Sequence, residues 1–276
     1  MRIVDTHCHL IYRDRLRYPW LEAVPLLNRD FRIDEYLPQA RAAGITDILH
    51  MEVDVAEGDI EAEAAFTAGL GRGIRGTIAG CRPELPGFAA QLERLAATPG
   101  VKGLRRILHT QPDELGQSAL FAANIARLAG TGLTFDFCVL PRQIPTALAL
   151  ARACPEVQFV LDHCGVPDVK GKSFDPWRTN LRAIASLPNV ACKLSGIVAY
   201  ADPAAWTVDD LRPYAMHVLD SFGADRVVWG SDWPVCTQSA PLGRWMEATH
   251  DLLRGAGPEA RARIMGLNAL RIYRLA

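Results

Sequence analysis

The sequence predicts an α/β fold, a distorted TIM (β/α)8 barrel that forms a single domain over residues 1–276. Short runs rich in β-branched residues alternate with longer segments rich in Ala, Leu, Glu and Arg along the whole chain, which is typical of strand and helix units around a parallel sheet. We count eight such runs, the number of strands in a closed barrel. The length of 276 residues suits one barrel, and no Ser/Gly-rich linker divides the chain.

Predicted strands and helices alternate in chain order. Asp34 is predicted to cap a helix that ends at Gly44, and another helix is predicted between residues 86 and 100. Pro141 and Pro176 are predicted at helix starts, where the first backbone amides need no intrahelical partner. The eight predicted strands span residues 3–9, 45–53, 74–81, 101–108, 133–139, 158–165, 190–197 and 226–235.

One long irregular insertion, residues 11–32, follows the first predicted strand. It carries the sequence Tyr18-Pro19-Trp20-Leu21. Loops that follow barrel strands lie at the carboxyl face of the barrel, where binding and catalytic sites are built. We therefore expect this insertion to contribute to a site.

Composition and charge exclude several kinds of partner. The chain is 49% hydrophobic and 22% charged with a formal net charge of −1, which gives no indication of a nucleic-acid partner. It contains no apolar run long enough to span a bilayer and no signal-peptide pattern before the first strand, so we expect a cytoplasmic protein without a membrane partner. The seven cysteines are an odd number and never form Cys-x-x-Cys, which predicts buried free thiols.

Ionisable side chains gather at the predicted carboxyl ends of the strands. Because these ends open onto one face of a barrel, polar residues there are candidate site residues. His7 and His9 end the first strand and share one face of it. Alone, this pair is equally compatible with two core histidines, but the other strand ends favour a site. These ends carry Glu52, Arg105, His109, Asp136, His163, Lys193, Ser195, Asp232 and Trp233.

Several candidates also have a structural explanation. Asp162 is expected to accept hydrogen bonds from backbone amides at a strand end rather than to act in catalysis. Asp136 either pairs with a cationic side chain or binds the substrate, since an unpaired buried carboxylate is costly; we favour the second. Trp20 and Trp233 are either core residues or walls for a substrate ring. His50 is left open between a strand histidine and a ligand, and packing or surface roles are predicted for Arg106, His217 and His250.

Short motifs at the strand ends occur in a characteristic order. They are Asp5-Thr6-His7-Cys8-His9, Leu161-Asp162-His163-Cys164-Gly165, Cys192-Lys193-Leu194-Ser195-Gly196 and Trp229-Gly230-Ser231-Asp232-Trp233-Pro234. With them, the chain resembles the amidohydrolase superfamily, and within it the amidohydrolase-2 branch. The residues 18–21, Gly103-Leu104-Arg105 and Phe135-Asp136-Phe137 are similar to sugar lactonases of that branch, especially L-fuconolactone and L-rhamnonolactone hydrolases. The resemblance covers essentially the whole chain.

This resemblance implies which residues surround the reacting centre. In the family, the first-strand histidines, a sixth-strand histidine and an eighth-strand aspartate do so, which implies His7, His9, His163 and Asp232 here. Many metal-dependent relatives carry a bridging lysine or glutamate on the fourth strand and a histidine on the fifth. This chain has Arg105 and Asp136 instead, and because arginine cannot ligate a cation, a two-metal centre is not expected.

A single-metal site is compatible with the same resemblance. One Zn²⁺ could be held by His7, His9 or His163 with Asp232, helped by Glu52, because imidazole and carboxylate suit zinc. The resemblance also includes lactonases that work without a metal. The sequence leaves both possibilities open.

The expected reaction is hydrolysis of a sugar lactone, a small-molecule substrate. Asp232 would take a proton from the attacking water and return it to the ring oxygen. A metal, or His7, His9, His163 and Arg105, would polarise the carbonyl. The sequence contains no Gly-x-Ser-x-Gly motif, which argues against a serine hydrolase. Contacts to sugar hydroxyls are predicted for Glu52, His109, Asp136, Lys193 and Ser195, with Trp20 and Trp233 as apolar walls.

Two other functions remain alternatives. One is decarboxylation or hydration of an aromatic or unsaturated acid, or hydrolysis of a dicarboxylate pyrone, with Arg105 and Arg106 as a carboxylate clamp. The other is a binding protein without catalysis, which leaves the ionisable strand ends unexplained.

Overall fold

The computed structural model describes residues 1–275 as an eight-stranded parallel sheet that curls into a nearly closed barrel. Each strand is hydrogen-bonded to the next one in sequence, so the order in the sheet is the order in the chain. The strands are β1 (Val4–Cys8), β2 (Asp47–Met51), β3 (Ile74–Gly80), β4 (Val101–Ile107), β5 (Thr134–Cys138), β6 (Phe159–Leu161), β7 (Val190–Leu194) and β8 (Val227–Trp229).

The helices pack on the outside of the sheet. Their buried faces and the outward side chains of the strands form the main hydrophobic core. The α-helices are α1 (Ile33–Ala42), α2 (Ile60–Ala68), α3 (Phe88–Ala97), α4 (Ala119–Ala126), α5 (Ile144–Ala153), α6 (Trp177–Ala185), α7 (Val208–Phe222), α8 (Leu242–Leu252), α9 (Gly257–Ala262) and α10 (Asn268–Ile272). Within the described residues 1–275, none of the helices has the length and apolar character needed to span a membrane.

The predicted barrel is confirmed, and the differences lie at the ends of elements. β6 and β8 are only three residues long. Left-handed backbone conformations follow at His163, two residues after β6, and at Asp232, three residues after β8. The predicted cap of α1 is wrong. Arg32 occupies the cap position without a side-chain hydrogen bond, whereas Asp34 lies in the first turn and pairs with Arg72.

Contacts between β1 and the segment after β8 bring the two edges of the sheet together. The Asp232 amide donates to the His7 carbonyl at 2.8 Å, and the His9 amide donates to the Trp233 carbonyl at 2.7 Å. β1 pairs irregularly with β2 between Asp5 and Cys8. As a result, the Asp5 carboxylate accepts from the outer residues Tyr36 and Ser231, whereas His7 contacts the barrel interior.

The barrel interior contains an apolar layer and, separately, a set of ionisable residues. The apolar layer includes Val4, Leu49, Ile78 and Val228 and is continued by Tyr273, which follows α10. All seven cysteines are buried free thiols, as predicted.

The insertion at residues 11–32 folds back on itself after β1. Ile11 and Phe31 form a two-way backbone bridge of 2.9 and 3.0 Å that closes the loop at its base. Between them, the short 3-10 turns Pro19–Ala23 and Pro25–Leu27 form the tip. The loop is therefore anchored to the barrel rather than free.

Candidate active site

A cavity of about 300 Å³ opens at the carboxyl ends of the strands. The insertion forms part of its wall through Trp20 and Leu27, and the Trp20 indole donates a 2.8 Å hydrogen bond to the Val53 carbonyl. This bond fixes the ring in the wall. The lining consists of His9, Ile11, Trp20, Leu27, Val53, Asp54, Arg105, Ile107, His109, Thr110, Cys138, His163, Tyr200, Asp232, Pro234 and Val235.

Asp232 borders this cavity beside the histidines of β1. It has a positive φ of 59°, a conformation that costs energy for a non-glycine residue and that clusters at functional sites. Its Oδ1 atom lies 3.5 Å from His9 Nε2 and 3.8 Å from His7 Nε2. The turn after β8 therefore holds a carboxylate against both imidazoles.

The hydrogen bonds of His9 define its protonation pattern. Its Nδ1 atom lies 3.1 Å from the Met51 carbonyl oxygen and 3.0 Å from the Glu52 carbonyl oxygen. Because carbonyls only accept, Nδ1 carries a proton, and in the tautomer with this single proton Nε2 is an acceptor. Two acceptors, His9 Nε2 and Asp232 Oδ1, therefore face each other at 3.5 Å. This pair suits a water molecule that donates to both, or a cation.

Arg105 places a fixed positive charge at the cavity. Its Nε atom donates to Glu52 Oε1 at 2.6 Å, and one terminal nitrogen lies 3.3 Å from His7 Nε2. The second oxygen of Glu52 accepts from the Asp54 amide at 2.7 Å. Burial opposes the charge, but the neighbouring Glu52 carboxylate raises the pKa of Arg105 above its usual value. Glu52 thus positions two cavity residues without lining the cavity itself.

His163 completes the group around Asp232. It lies in a left-handed turn after β6 with a φ of 51°, and its Nδ1 atom is 3.0 Å from Ser195 Oγ and 4.0 Å from Asp232 Oδ2. Burial lowers the pKa of His163, and it lowers the pKa of His7 much further. Both imidazoles are therefore held in the neutral form.

An ion-pair network fills the barrel interior next to His7. Lys193 Nζ lies 2.8 Å from Asp136 Oδ2 and 2.9 Å from Asp162 Oδ1, and all three side chains are fully buried. The Tyr273 hydroxyl donates to Asp136 at 2.8 Å, and His7 Nδ1 is 3.5 Å from Asp162 Oδ1. Burial opposes ionisation of Asp162, but the Lys193 charge holds its pKa well below the usual range.

This network corrects three sequence predictions. Asp136 and Lys193 pair with each other and lie outside the cavity lining, so the structure does not place either of them where the predicted contact to a substrate hydroxyl would be made. Asp162 contacts cationic and histidine side chains and, within residues 1–275, accepts no backbone hydrogen bond. The cause is tertiary: a lysine on β7 pairs with a carboxylate directly after the neighbouring β6 and with another on β5.

Ser195 and Trp233 are also placed away from the lining. Ser195 is buried and contacts His163. Trp233 is 1% exposed and packs against Phe31 and Tyr36, so it is a core residue and not the predicted wall for a substrate ring. Trp20, Arg105 and His109 do line the cavity, as do His9, His163 and Asp232.

The residues with predicted structural roles lie outside the cavity. His50 bonds Thr77 at 2.9 Å in the barrel wall, and Arg106 pairs with Glu84. His217 packs against Trp177. His250 lies on α8 and is exposed.

Sequence reasoning missed four polar or nucleophilic residues of the lining: Asp54, Thr110, Cys138 and Tyr200. Asp54 and Thr110 each lie three residues after a strand end. They could have been predicted by counting the first three residues after each strand as candidate site residues. Tyr200 lies six residues after β7, and no local pattern distinguishes it. His109 Nδ1 lies 3.0 Å from Cys138 Sγ, and burial lowers the pKa of His109 to about 4.

The donor atoms around Asp232 fit one divalent cation. His7, His9 and Asp232 each offer one ligand atom, and these atoms lie within 4.8 Å of one another. The acceptor pair of His9 and Asp232 is consistent with such an ion. A second group of possible ligands, His7, Asp162 and His163, shares His7 with the first. Lys193 lies 2.9 Å from Asp162 in that group, and a lysine ammonium opposes a cation there, so the His7, His9 and Asp232 group is the better fit.

Comparison with known proteins identifies the family. The Amidohydro_2 family model, described as amidohydrolase, matches residues 4–275. The chain belongs to the amidohydrolase family. This amidohydrolase is 31% identical to an L-fucono-1,5-lactonase of Burkholderia multivorans over 99% of this chain and 96% of that protein. It is 38% identical to an L-fucono-1,5-lactonase of Burkholderia ambifaria, over 67% of this chain and 66% of that protein.

A solved structure agrees with this assignment. An amidohydrolase from Burkholderia multivorans with bound zinc has a TM-score of 0.88 and 29% sequence identity to this chain, and the match covers 100% of both. The family resemblance that the strand-end motifs indicated is therefore confirmed, and this amidohydrolase is an enzyme.

Proposed function

We propose that this amidohydrolase hydrolyses a sugar lactone to the open-chain sugar acid. The observation that carries this proposal is the pair of acceptors, Asp232 Oδ1 and His9 Nε2, 3.5 Å apart at the cavity. A water molecule that donates one hydrogen to each acceptor is oriented with a lone pair toward the cavity. Such a water molecule can attack a carbonyl carbon bound there.

The chain's own residues account for the proton movements. Asp232 accepts a proton as the water oxygen bonds to the carbonyl carbon, and the carbonyl electron pair moves to its oxygen. When the tetrahedral intermediate collapses, the bond between this carbon and the ring oxygen breaks. Asp232 then returns the proton to the ring oxygen, so one carboxylate serves first as base and then as acid.

Arg105 supports the developing negative charge. Its guanidinium is positioned by Glu52 before the substrate binds, and positioned charges stabilise a transition state without reorganisation. The cation that His7, His9 and Asp232 could hold would supply Lewis-acid polarisation of the carbonyl. Zinc suits this imidazole and carboxylate set, but the proposed reaction does not depend on a bound ion, because Asp232 carries the proton transfers and Arg105 supplies positive charge.

The character of the cavity favours a neutral, ring-shaped substrate. Trp20, Leu27 and Val53 form an apolar part of the wall, whereas Asp54 and His109 bring polar groups. A sugar lactone has an apolar ring face, which matches the apolar part of the wall, and a rim of hydroxyls, which matches the polar groups. The names of the two similar Burkholderia lactonases support an L-fucono-1,5-lactone-like substrate.

A dicarboxylate pyrone or an aromatic acid fits less well. Among residues 1–275, the cavity lining contains one arginine and no lysine. The second arginine of the expected clamp, Arg106, pairs with Glu84 at 2.5 Å and lies outside the lining. The cavity therefore offers little positive charge to a substrate with two carboxylates.

A substrate screen tests the proposal. The purified protein is mixed with L-fucono-1,5-lactone, other aldonolactones, a pyrone dicarboxylate and an aromatic carboxylic acid. Acid release from the cyclic esters is followed with a pH indicator, and consumption of the aromatic acid is followed by its ultraviolet absorbance. We expect turnover of one or more aldonolactones well above the spontaneous rate. Turnover of the acids alone, with all lactones at the spontaneous rate, would contradict the proposal.

A further inference from the structure

The segment after β7 surrounds His163 and delivers a tyrosine to the cavity. Ser195 contacts one ring nitrogen of His163 at 3.0 Å. Gly196 follows with a φ of 67°, and a Cβ at this position would lie 2.4 Å from His163 Nδ1. Four residues later, the ring of Tyr200 meets the ring of His163 edge to face, with the centroids 6.1 Å apart. The segment is therefore shaped around His163.

Tyr200 is held in place beside the cavity, and among residues 1–275 its hydroxyl is not used by other side chains. The backbone carbonyl of Tyr200 accepts a 3.0 Å hydrogen bond from the Lys170 amide, so the residue is anchored at both its backbone and its ring. Its side chain lines the cavity. Within the described residues 1–275, the phenol oxygen has no hydrogen-bond partner. A partly buried, positioned O–H group therefore faces the space in which a substrate would lie.

The two histidines of β1 do not supply a donor to a substrate carbonyl. His9 uses its one N–H for the backbone carbonyls of Met51 and Glu52. His7 faces the terminal nitrogen of Arg105 with Nε2 and the Asp162 and Lys193 side chains with Nδ1. Because an oxyanion needs hydrogen-bond donors aimed at it, the donors must come from other parts of the lining.

We propose that Tyr200 is a further catalytic residue, whose hydroxyl donates a hydrogen bond to the carbonyl oxygen of the lactone as negative charge develops on it. This inference rests on the proposed lactone hydrolysis. Tyr200 and Arg105 then form the donor side of the site, opposite the base Asp232. The proton of the phenol stays on Tyr200 throughout, since the carboxylate carries the proton transfers.

Replacing Tyr200 with phenylalanine tests this role. Tyr200→Phe keeps the ring against His163 and removes only the O–H group. We expect kcat on the best aldonolactone to fall by roughly 100-fold, the usual effect of removing one oxyanion donor, while KM changes less than about threefold. A merely structural role of the ring would leave kcat unchanged in this variant.

Tyr214→Phe is the matched control. Its hydroxyl donates to the Asp168 carbonyl at 3.0 Å and it lies outside the cavity lining, so we expect wild-type kcat and KM. The inference is overturned if Tyr200→Phe retains kcat within twofold of wild type. It is also overturned if KM alone rises, because the hydroxyl then binds substrate and transition state equally. Wild-type protein without activity on any lactone overturns the proposed function and this inference with it.

Discussion

His9 Nε2 lies 3.5 Å from Asp232 Oδ1, with both atoms acting as acceptors at the edge of the cavity. The relationship depends on two separate backbone features. His9 is oriented by the carbonyls of Met51 and Glu52, and Asp232 is oriented by a left-handed turn whose amide bonds the His7 carbonyl. Neither residue is positioned by the other, so the pair is organised before a substrate arrives.

Asp232→Asn removes the base from this pair. An amide cannot accept the water proton, so we expect kcat on the best lactone to fall by about 1000-fold, within the usual range for a general base. Steady-state kinetics with the pH indicator measure this. Asp220→Asn, an exposed change on α7, should retain wild-type kinetics. Wild-type turnover by Asp232→Asn would exclude Asp232 as the base.

Gly196→Ala separates a steric effect on His163 from backbone strain. A Cβ at residue 196 meets His163 Nδ1 at 2.4 Å, whereas a Cβ at Gly223, which has a nearly equal φ of 68°, meets nothing within 4 Å. We expect both variants to lose about 1–3 kcal/mol of stability, because a positive φ is disfavoured for a residue with a Cβ. Only Gly196→Ala should also lose activity, by tenfold or more. Equal activity in the two variants would argue against His163 as a site residue.

Histidine burial predicts how stability depends on pH. Burial lowers the pKa of His109 from 6.5 to about 4, so below pH 6.5 the unfolded state binds a proton that the folded state does not. Stability from this residue is therefore present above pH 6.5 and is lost as the pH falls toward 4.

A comparison with His109→Gln isolates the contribution of His109 from that of Asp136. The pKa of Asp136 is raised to about 6, so Asp136 adds stability as the pH falls, whereas His109 loses it. Urea unfolding at pH 7.5 and pH 5 should show that the stability difference between wild type and His109→Gln shrinks by about 2 kcal/mol at the lower pH. A difference that does not change with pH would contradict a buried, neutral His109.

Lys193→Met tests the interior ion-pair network. The change leaves Asp136 and Asp162 without their shared cation, and removing one partner from a buried pair costs about 3–5 kcal/mol. Denaturant unfolding at pH 7 measures the loss. Lys172→Met removes a lysine that is 73% exposed and pairs with Asp210, so we expect a change below about 1 kcal/mol. Similar losses in both variants would contradict a stabilising role of the interior network.

Metal removal is expected to leave most of the activity. Arg105 and Lys193 each place a nitrogen 3.3 Å from His7, and two nearby positive charges weaken cation binding there. We expect a chelated and dialysed sample to retain at least half of the wild-type kcat, with metal content measured on the same sample. Complete loss on chelation and recovery with zinc would assign carbonyl polarisation to a bound ion.

Sequence patterns were sufficient for the fold and for the outline of the site. The eight strands could be predicted because β-branched runs and helical segments are local features with a clear period. The carboxyl ends of parallel strands share one face, and for this reason His9, Arg105, His109, His163 and Asp232 were correctly expected at one cavity.

The roles of individual strand-end residues were decided by tertiary structure. Asp136 and Lys193 both point into the barrel interior. There the long lysine side chain reaches the buried carboxylate, and neither side chain lines the cavity. Trp233 packs in the core although its neighbour Asp232 borders the cavity. The segment after β8 still runs parallel to β1, with Trp233 bridged to Cys8, and successive side chains of such a segment point to opposite sides.

The sequence by itself thus determined the barrel and the family, since both depend on local periodicity and on short motifs in a given order. Only the tertiary structure decided which polar residues reach the cavity and which neutralise one another in the interior. The physical reason is that burying a charge requires a partner, and the partner of each strand-end residue lies on a strand far away in the chain. The position of Tyr200 was likewise decided only by the tertiary structure, because the fold of the segment around His163 brings its hydroxyl to the cavity.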